Sequence, residues 1–140
     1  MTWSPSTVPE LAGRCIVVTG ANSGLGFETA RALARKGAEL VMACRDVRKA
    51  EQAEAKIRAE QPSANVTVRA LDLGSLASVR AFAARFAAEH AKLDVLVNNA
   101  GVMAIPRTLT SDGFEMQLGV NHFGHFALTG LLFDKLLAAP

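Results

Sequence analysis

The stretch Cys15-Ile16-Val17-Val18-Thr19-Gly20-Ala21-Asn22-Ser23-Gly24-Leu25-Gly26 decides how this chain is read. Its apolar start suits a strand buried on both faces, and the glycine-rich turn after it opens a helix. At such a junction backbone N–H groups can reach a phosphate. A Cβ there would block the approach or forbid the dihedral angles of the turn. The first inference is therefore a nucleotide cofactor that carries a pyrophosphate. The order of the glycines, Gly20, Gly24 and Gly26, is not the G-x-G-x-x-G of long dehydrogenases. No Gly-Lys-Ser/Thr follows, which disfavours an ATP-type P-loop.

Outward from this turn, strand-like and helix-like segments alternate. Residues 14–18 read as a strand and 25–36 as a helix with Ala30, Leu33 and Ala34 on one face, capped by Gly37. A second strand covers 39–43; Asp46 then caps a charged, alanine-rich helix that Pro62 stops. A third strand covers 66–71, and Ser75 caps a helix with Val79, Phe82, Ala83 and Phe86 on one face. The fourth strand is 95–98. After a loop containing Pro106, Asp112 and Glu115 resemble a capping box for one long final helix to about residue 137. This alternation predicts the α/β class, with a parallel sheet covered by helices on both faces. Residues 1–10, with Pro5 and Pro9, read as an extended lead-in whose Trp3 packs back on the domain, and 11–140 as one unit.

The chain has 140 residues, 50% of them hydrophobic, which suits one domain with a real core. With 15 basic and 13 acidic residues and a net charge of +2, it gives no reason to expect nucleic acid or an anionic membrane surface as a partner. Cys15 and Cys44 fall in apolar segments with no metal-ligand spacing, and read as buried, reduced thiols of a cytosolic protein. The first residues lack the basic start and apolar core of a signal peptide, and no apolar stretch reaches the length of a membrane span. A cytoplasmic location is the expectation.

Three motifs together resemble the short-chain dehydrogenase/reductase family, over nearly all of 11–137. Its T-G-x-x-x-G-x-G is matched at Thr19, Gly20, Gly24 and Gly26, and its N-N-A-G at Asn98-Asn99-Ala100-Gly101. Asp72-Leu73 matches the aspartate and apolar residue that follow the third strand and serve the adenine. Cys44-Arg45-Asp46 and Asn121-His122-Phe123-Gly124-His125-Phe126 are similar to the branch of retinol dehydrogenases, WW-domain oxidoreductases and protochlorophyllide reductases. The resemblance implies a Rossmann-type doubly wound parallel sheet, here truncated to about four strands in the order 3-2-1-4. It also implies cofactor contacts at Gly20, Asn22, Ser23, Gly24, Leu25, Gly26, Asp72, Leu73, Asn99, Ala100 and Gly101.

The second strand leads into neutral Cys44 and then Arg45, where NAD-binding folds carry an acidic residue for the ribose 2′-hydroxyl. A guanidinium can pair bidentately with a 2′-phosphate, and Ser23 and Lys49 add donors. NADP(H) is favoured over NAD(H), against the plain reading of Arg45 as a solvated arginine at a helix start. Asp72 has two readings, a contact to adenine or a cap for the turn before Ser75. Asn98 and Asn99 are expected to fix the loop beside the nicotinamide ribose.

By the resemblance, Asn121 distorts the long helix and holds a water of the proton relay; a mid-helix asparagine is otherwise unfavourable. Gly119 and Gly124 agree with a locally irregular helix. His122 and His125 have the spacing of metal ligands on one helix face, but no third ligand candidate is near, so no metal is expected. Val120, Phe123 and Phe126 read as core or a helix-pairing surface.

The family's chemistry also needs a serine on a further strand and a Tyr-x-x-x-Lys on a further helix. This chain has no tyrosine, and Lys135 is its last lysine, with no such motif before it. The expectation is the cofactor-binding half of an oxidoreductase acting on a small carbonyl or alcohol, inactive alone because the general acid/base is absent. The alternative is a non-catalytic NADP(H)-binding module, or one that pairs through its last helix, as a homo-oligomer would. An exposed last helix and an edge fourth strand would limit solubility.

Overall fold

Four strands, β1 (Cys15–Thr19), β2 (Glu39–Cys44), β3 (Val66–Ala70) and β4 (Val95–Val97), form one parallel sheet in the spatial order β3-β2-β1-β4. The fold is seen in a computed structural model that describes Ser4 and residues 7–140. The expectations for Trp3 and Pro5 lie outside the described residues. Helices α1 (Gly24–Arg35), α2 (Val47–Glu60) and α3 (Leu76–Glu89) connect the strands in the doubly wound manner expected from sequence.

The apolar runs explain why both faces of the sheet are covered. Every residue of β1 is buried, as are all of β2 except its first. Side chains alternate between faces. Ile16, Val18, Leu40 and Met42 pack on Ala30 and Ala34 of α1 and on Ala50, Ala53 and Ile57 of α2. Val17 and Val41 face Val79, Phe82 and Phe86 of α3 and Leu128 and Leu132 near the chain's end. Each fully buried Val, Leu or Phe side chain stabilises by roughly 1.5–3 kcal/mol relative to exposure, so these two layers hold the sheet.

β4 is the outer strand of the described sheet beside β1, with Val95 exposed to 44%. Asp94 fastens it: its carboxylate accepts from the Cys15 N–H at 2.9 Å, Arg14 Nη1 at 2.7 Å and Lys92 Nζ at 3.0 Å. Burial opposes its ionisation, but the Arg14 guanidinium, the Cys15 N–H and Lys92 outweigh that and hold the carboxyl down at about 2.

The final helix departs from expectation in its start and in a break near its end. Asp112 does not cap it. Residues 109–115 double back through the Leu109–Glu115 bridge, and there the Asp112 carboxylate accepts from the Leu76 N–H of α3 at 2.8 Å. Glu115 is the cap instead, accepting from Gln117 N at 3.0 Å and Leu118 N at 2.9 Å. The helix then runs in pieces: α4 (Met116–Leu118), a π-helical segment Gly119–Gly124, α5 (His125–Leu131) and α6 (Phe133–Leu137). The interruption at Leu132 sets α6 off from α5 and leaves Phe126, Phe133 and Leu137 exposed. No described helix is long and apolar enough to cross a membrane.

Candidate functional site

The glycine turn sits at the C-terminal end of β1, wedged between the end of β2 and the loop after β4. Gly20 has φ 64°, its N–H donates to Ala43 O at 2.9 Å, and a Cβ on it would lie 2.9 Å from Ala100 Cα. Thr19, wholly buried, ties the two motifs together. Its Oγ1 accepts from Asn99 N at 2.9 Å and Ala100 N at 3.0 Å, while Asn99 Nδ2 donates to Thr19 O at 2.9 Å. Asn98 reaches the other way, to Thr129 Oγ1 of α5 at 3.0 Å. The glycine turn and the Asn-Asn-Ala-Gly loop are thus one hydrogen-bonded unit.

The start of α1 is unlike those of α2 and α3. Asp46 caps α2 by accepting from Lys49 N at 3.0 Å, and Ser75 caps α3 by accepting from Ser78 N at 3.3 Å. Ser23, the extended residue before α1, makes no side-chain cap bond, and no acidic residue lies in the first turn of α1. The N–H groups there are left for another acceptor, and the helix dipole makes an anion the favourable one.

A cavity of about 500 Å³ opens beside this turn. Every cofactor contact expected from sequence lines it except Gly24, which instead begins α1 with φ 54°. Arg45 is exposed at the end of β2 and borders the cavity with Asp46 and Lys49. The Asp46 carboxylate is committed to α2: one oxygen caps the helix and the other lies 3.8 Å from Lys49 Nζ. For Asp72 both readings hold in part. Its Oδ1 accepts from Gly74 N at 2.9 Å, closing the turn, and the residue also lines the cavity. A smaller groove of about 240 Å³ between β3 and α3 carries none of these groups.

Two contributors were not visible from sequence. Cys44 lies buried under the glycine turn, where burial pushes its thiol up while the N–H groups of Ala21 and Asn22 pull it down. The strand register, which pairs Thr19 with Ala43, is what brings it there. The second is His125. It is buried, whereas His122 is exposed beside Phe123 and Phe126, so the two histidines face apart and do not form the ligand pair that their spacing allowed. Its position four residues after the mid-helix Asn121 was the one available signal.

Asn121 sits inside the π-helical segment, as the irregular helix expected from sequence requires. Its Oδ1 accepts from Val102 N at 2.8 Å and its Nδ2 donates to Val102 O at 2.9 Å, which pins the loop just past Gly101. His125 Nδ1 lies 3.1 Å from the Asn121 carbonyl and Nε2 lies 2.9 Å from Thr19 Oγ1. A carbonyl can only accept, so Nδ1 carries the proton and Nε2 receives the Thr19 hydroxyl. The neutral ring thereby joins the glycine turn to the π segment.

Burial pushes His125 below its ordinary 6.5, against the pull of the Asn121 carbonyl. The unfolded chain then takes up a proton that the folded one refuses. Stability is expected to fall as pH drops below 6.5 and to level off below the lowered folded value. Urea midpoints measured across this range should show that slope in the native chain and a flatter one in His125→Gln. Equal slopes would show that another group is responsible.

The short chain dehydrogenase family matches residues 14–140. The chain belongs to this family. Mouse retinol dehydrogenase 12 is 54% identical over 131 residues, which cover 94% of this chain and 42% of that protein. The chain thus spans under half the length of this relative. A crystal structure of an uncharacterised protein from Mycobacterium paratuberculosis is 52% identical with a TM-score of 0.84, covering 96% of this chain and 47% of that one. A metagenomic short-chain oxidoreductase solved in complex with NADP is 33% identical with a TM-score of 0.80, covering 92% of this chain and 59% of that one. The parallel order β3-β2-β1-β4 is the Rossmann-type arrangement expected of this family.

Proposed function

We propose that this chain forms the NADP(H)-binding part of an oxidoreductase that moves hydride between a nicotinamide and a carbonyl or alcohol carbon. The observation that carries this reading is the first turn of α1, free of a side-chain cap, opening on a cavity that Arg45 borders. The N–H groups there would hold the pyrophosphate, and Arg45, Ser23 and Lys49 the 2′-phosphate. Asp72 and Leu73 would flank the adenine, and Asn99, Ala100 and Gly101 the nicotinamide ribose. When bound, the cofactor supplies a carbon that gives or takes a hydride. Support comes from the retinol dehydrogenase relative and from the NADP-bound neighbour.

Asn121 would act by positioning, since both polar atoms of its side chain are spent on Val102. No tyrosine is present in the chain, so the family's general acid/base is not among these residues. The chain is expected to bind NADPH, seen as a one-to-one calorimetric isotherm, without oxidising it in the presence of retinal or a panel of ketones and aldehydes. Absence of NADPH binding would overturn the cofactor reading; turnover above background would overturn the inactivity. A helix-pairing module would rest on the exposed Phe126, Leu131, Phe133 and Leu137, and it leaves the uncapped turn of α1 without a purpose.

A further inference from the structure

At the end of the sheet opposite the cofactor cavity, three residues far apart in sequence converge. Cys15 begins β1 and Glu39 begins β2, and the strand register places them side by side. His90 follows the end of α3 and returns to the same corner. The Cys15 sulfur, a Glu39 carboxylate oxygen and a His90 ring nitrogen all lie within 4.8 Å of one another, the one such group among the described residues. We propose that Cys15 Sγ, Glu39 Oε1 and His90 Nε2 form a binding site for a zinc-class divalent metal ion, separate from the nucleotide site.

The imidazole is set in the way a metal-binding histidine is. His90 Nδ1 lies 3.2 Å from the Phe86 carbonyl, and the ring stacks on Phe86 with centroids 4.2 Å apart. Because the carbonyl only accepts, Nδ1 carries hydrogen, which leaves Nε2 as the nitrogen that can bind a metal ion. Nε2 lies 3.3 Å from Glu39 Oε1. Either a proton or a metal ion can bridge these two atoms.

Ligand chemistry favours the metal, and the geometry admits it. With Zn–N and Zn–O bonds of about 2.0–2.1 Å, the edge of a tetrahedron is about 3.3 Å, the same as the observed separation. The nearby thiol is a soft donor that a protonated histidine has no use for, and it selects zinc over calcium or magnesium. Cys15 is buried, with Glu39 and Asp94 near it and Lys92 as the cation that opposes them. Asp94 is itself held by Arg14 and Lys92, which leaves Glu39 as the carboxylate of the corner that can meet a positive ion. Glu39 is 43% exposed, which supplies an entry path and room for water in the fourth position. Such an ion would clamp the starts of β1 and β2 to the end of α3.

The test uses the whole chain titrated with Co2+ and then Zn2+. The expected result is one cobalt per chain, with a thiolate-to-cobalt charge-transfer band in the near ultraviolet that zinc displaces. Cys15→Ser should remove that band and Cys44→Ser should leave it. His90→Gln and Glu39→Gln alter the surface side of the corner and leave the thiol in place. Each should weaken zinc by at least about 10- to 100-fold, the loss typical of second-shell partners alone. These two variants decide the matter if Cys15→Ser does not fold. A folded native chain without the band, or affinities unchanged in His90→Gln and Glu39→Gln, would leave only a His90–Glu39 ion pair and overturn the proposal.

Discussion

Gly26→Ala is expected to destabilise the chain by about 2–5 kcal/mol, combining overpacking with lost hydrogen bonds, and to lower NADPH affinity by more than tenfold. A Cβ at this position would overlap the Gly20 carbonyl oxygen and Asn99 Nδ2. The carbonyl is backbone and cannot swing aside, so α1 must retreat from β1. That retreat loosens Ala30 and Ala34 from the sheet and pulls Asn99 off Thr19 O. It also withdraws the N–H groups that face the cavity. Gly24→Ala is the control. Nothing lies within 4 Å of a Cβ there, and only the left-handed φ of 54° opposes the change. That strain costs about 1–2 kcal/mol. Thermal unfolding and NADPH calorimetry on both variants separate close approach from backbone freedom. Equal losses in the two would show that close packing of α1 on the turn is not what the glycine serves.

This contrast bears on what was legible in the chain. The runs from Cys15 and from Leu40 are short and apolar without alternation, which suits strands buried on both faces, and their alternation with helices implied the parallel sheet. The glycine turn was legible because its residues act through backbone and are contiguous. What escaped depends on residues that meet only after folding. Asp112 and Glu115 have the spacing of a capping box, yet the hairpin-like 109–115 segment aims Asp112 at α3, and spacing alone carries no such direction. The break at Leu132 has no proline to announce it; Gly130, two residues before, is the sole local hint. Cys44 read as a plain buried thiol because strand register, not sequence, puts it beneath Ala21 and Asn22. His125 was masked by its spacing from His122, which suggested a shared face that the π segment does not give. Residues 15, 39 and 90 show no ligand spacing at all, so the opposite corner of the sheet was invisible until β1, β2 and α3 were in place.

Arg45→Ala is expected to lower NADPH affinity by roughly 10- to 100-fold while leaving NADH affinity unchanged. A charge-assisted hydrogen bond contributes roughly 1.5–3 kcal/mol, and each 1.4 kcal/mol is tenfold in affinity. Arg45 is exposed before the nucleotide binds, so solvent screening places the effect toward the lower end of that range. The acidic neighbour Asp46 could in principle claim a ribose 2′-hydroxyl and favour NADH. Its carboxylate is already spent on the Lys49 N–H and lies near Lys49 Nζ, so freeing it would uncap α2. Capping residues of this kind are worth about 1 kcal/mol, a cost that NADH binding would have to meet and NADPH binding would not. Added salt should narrow the preference of the native chain for NADPH, because the 2′-phosphate contact is charged and near the surface. The same salt should leave the ratio in Arg45→Ala flat. Fluorescence titration of both nucleotides at low and high ionic strength reads all of these quantities together. A native chain that prefers NADH, or a preference that survives the loss of Arg45, would move the specificity away from the end of β2. Ser23 and Lys49 would then be the remaining donors at the cavity's rim, and the guanidinium would be only a solvated charge at the start of α2.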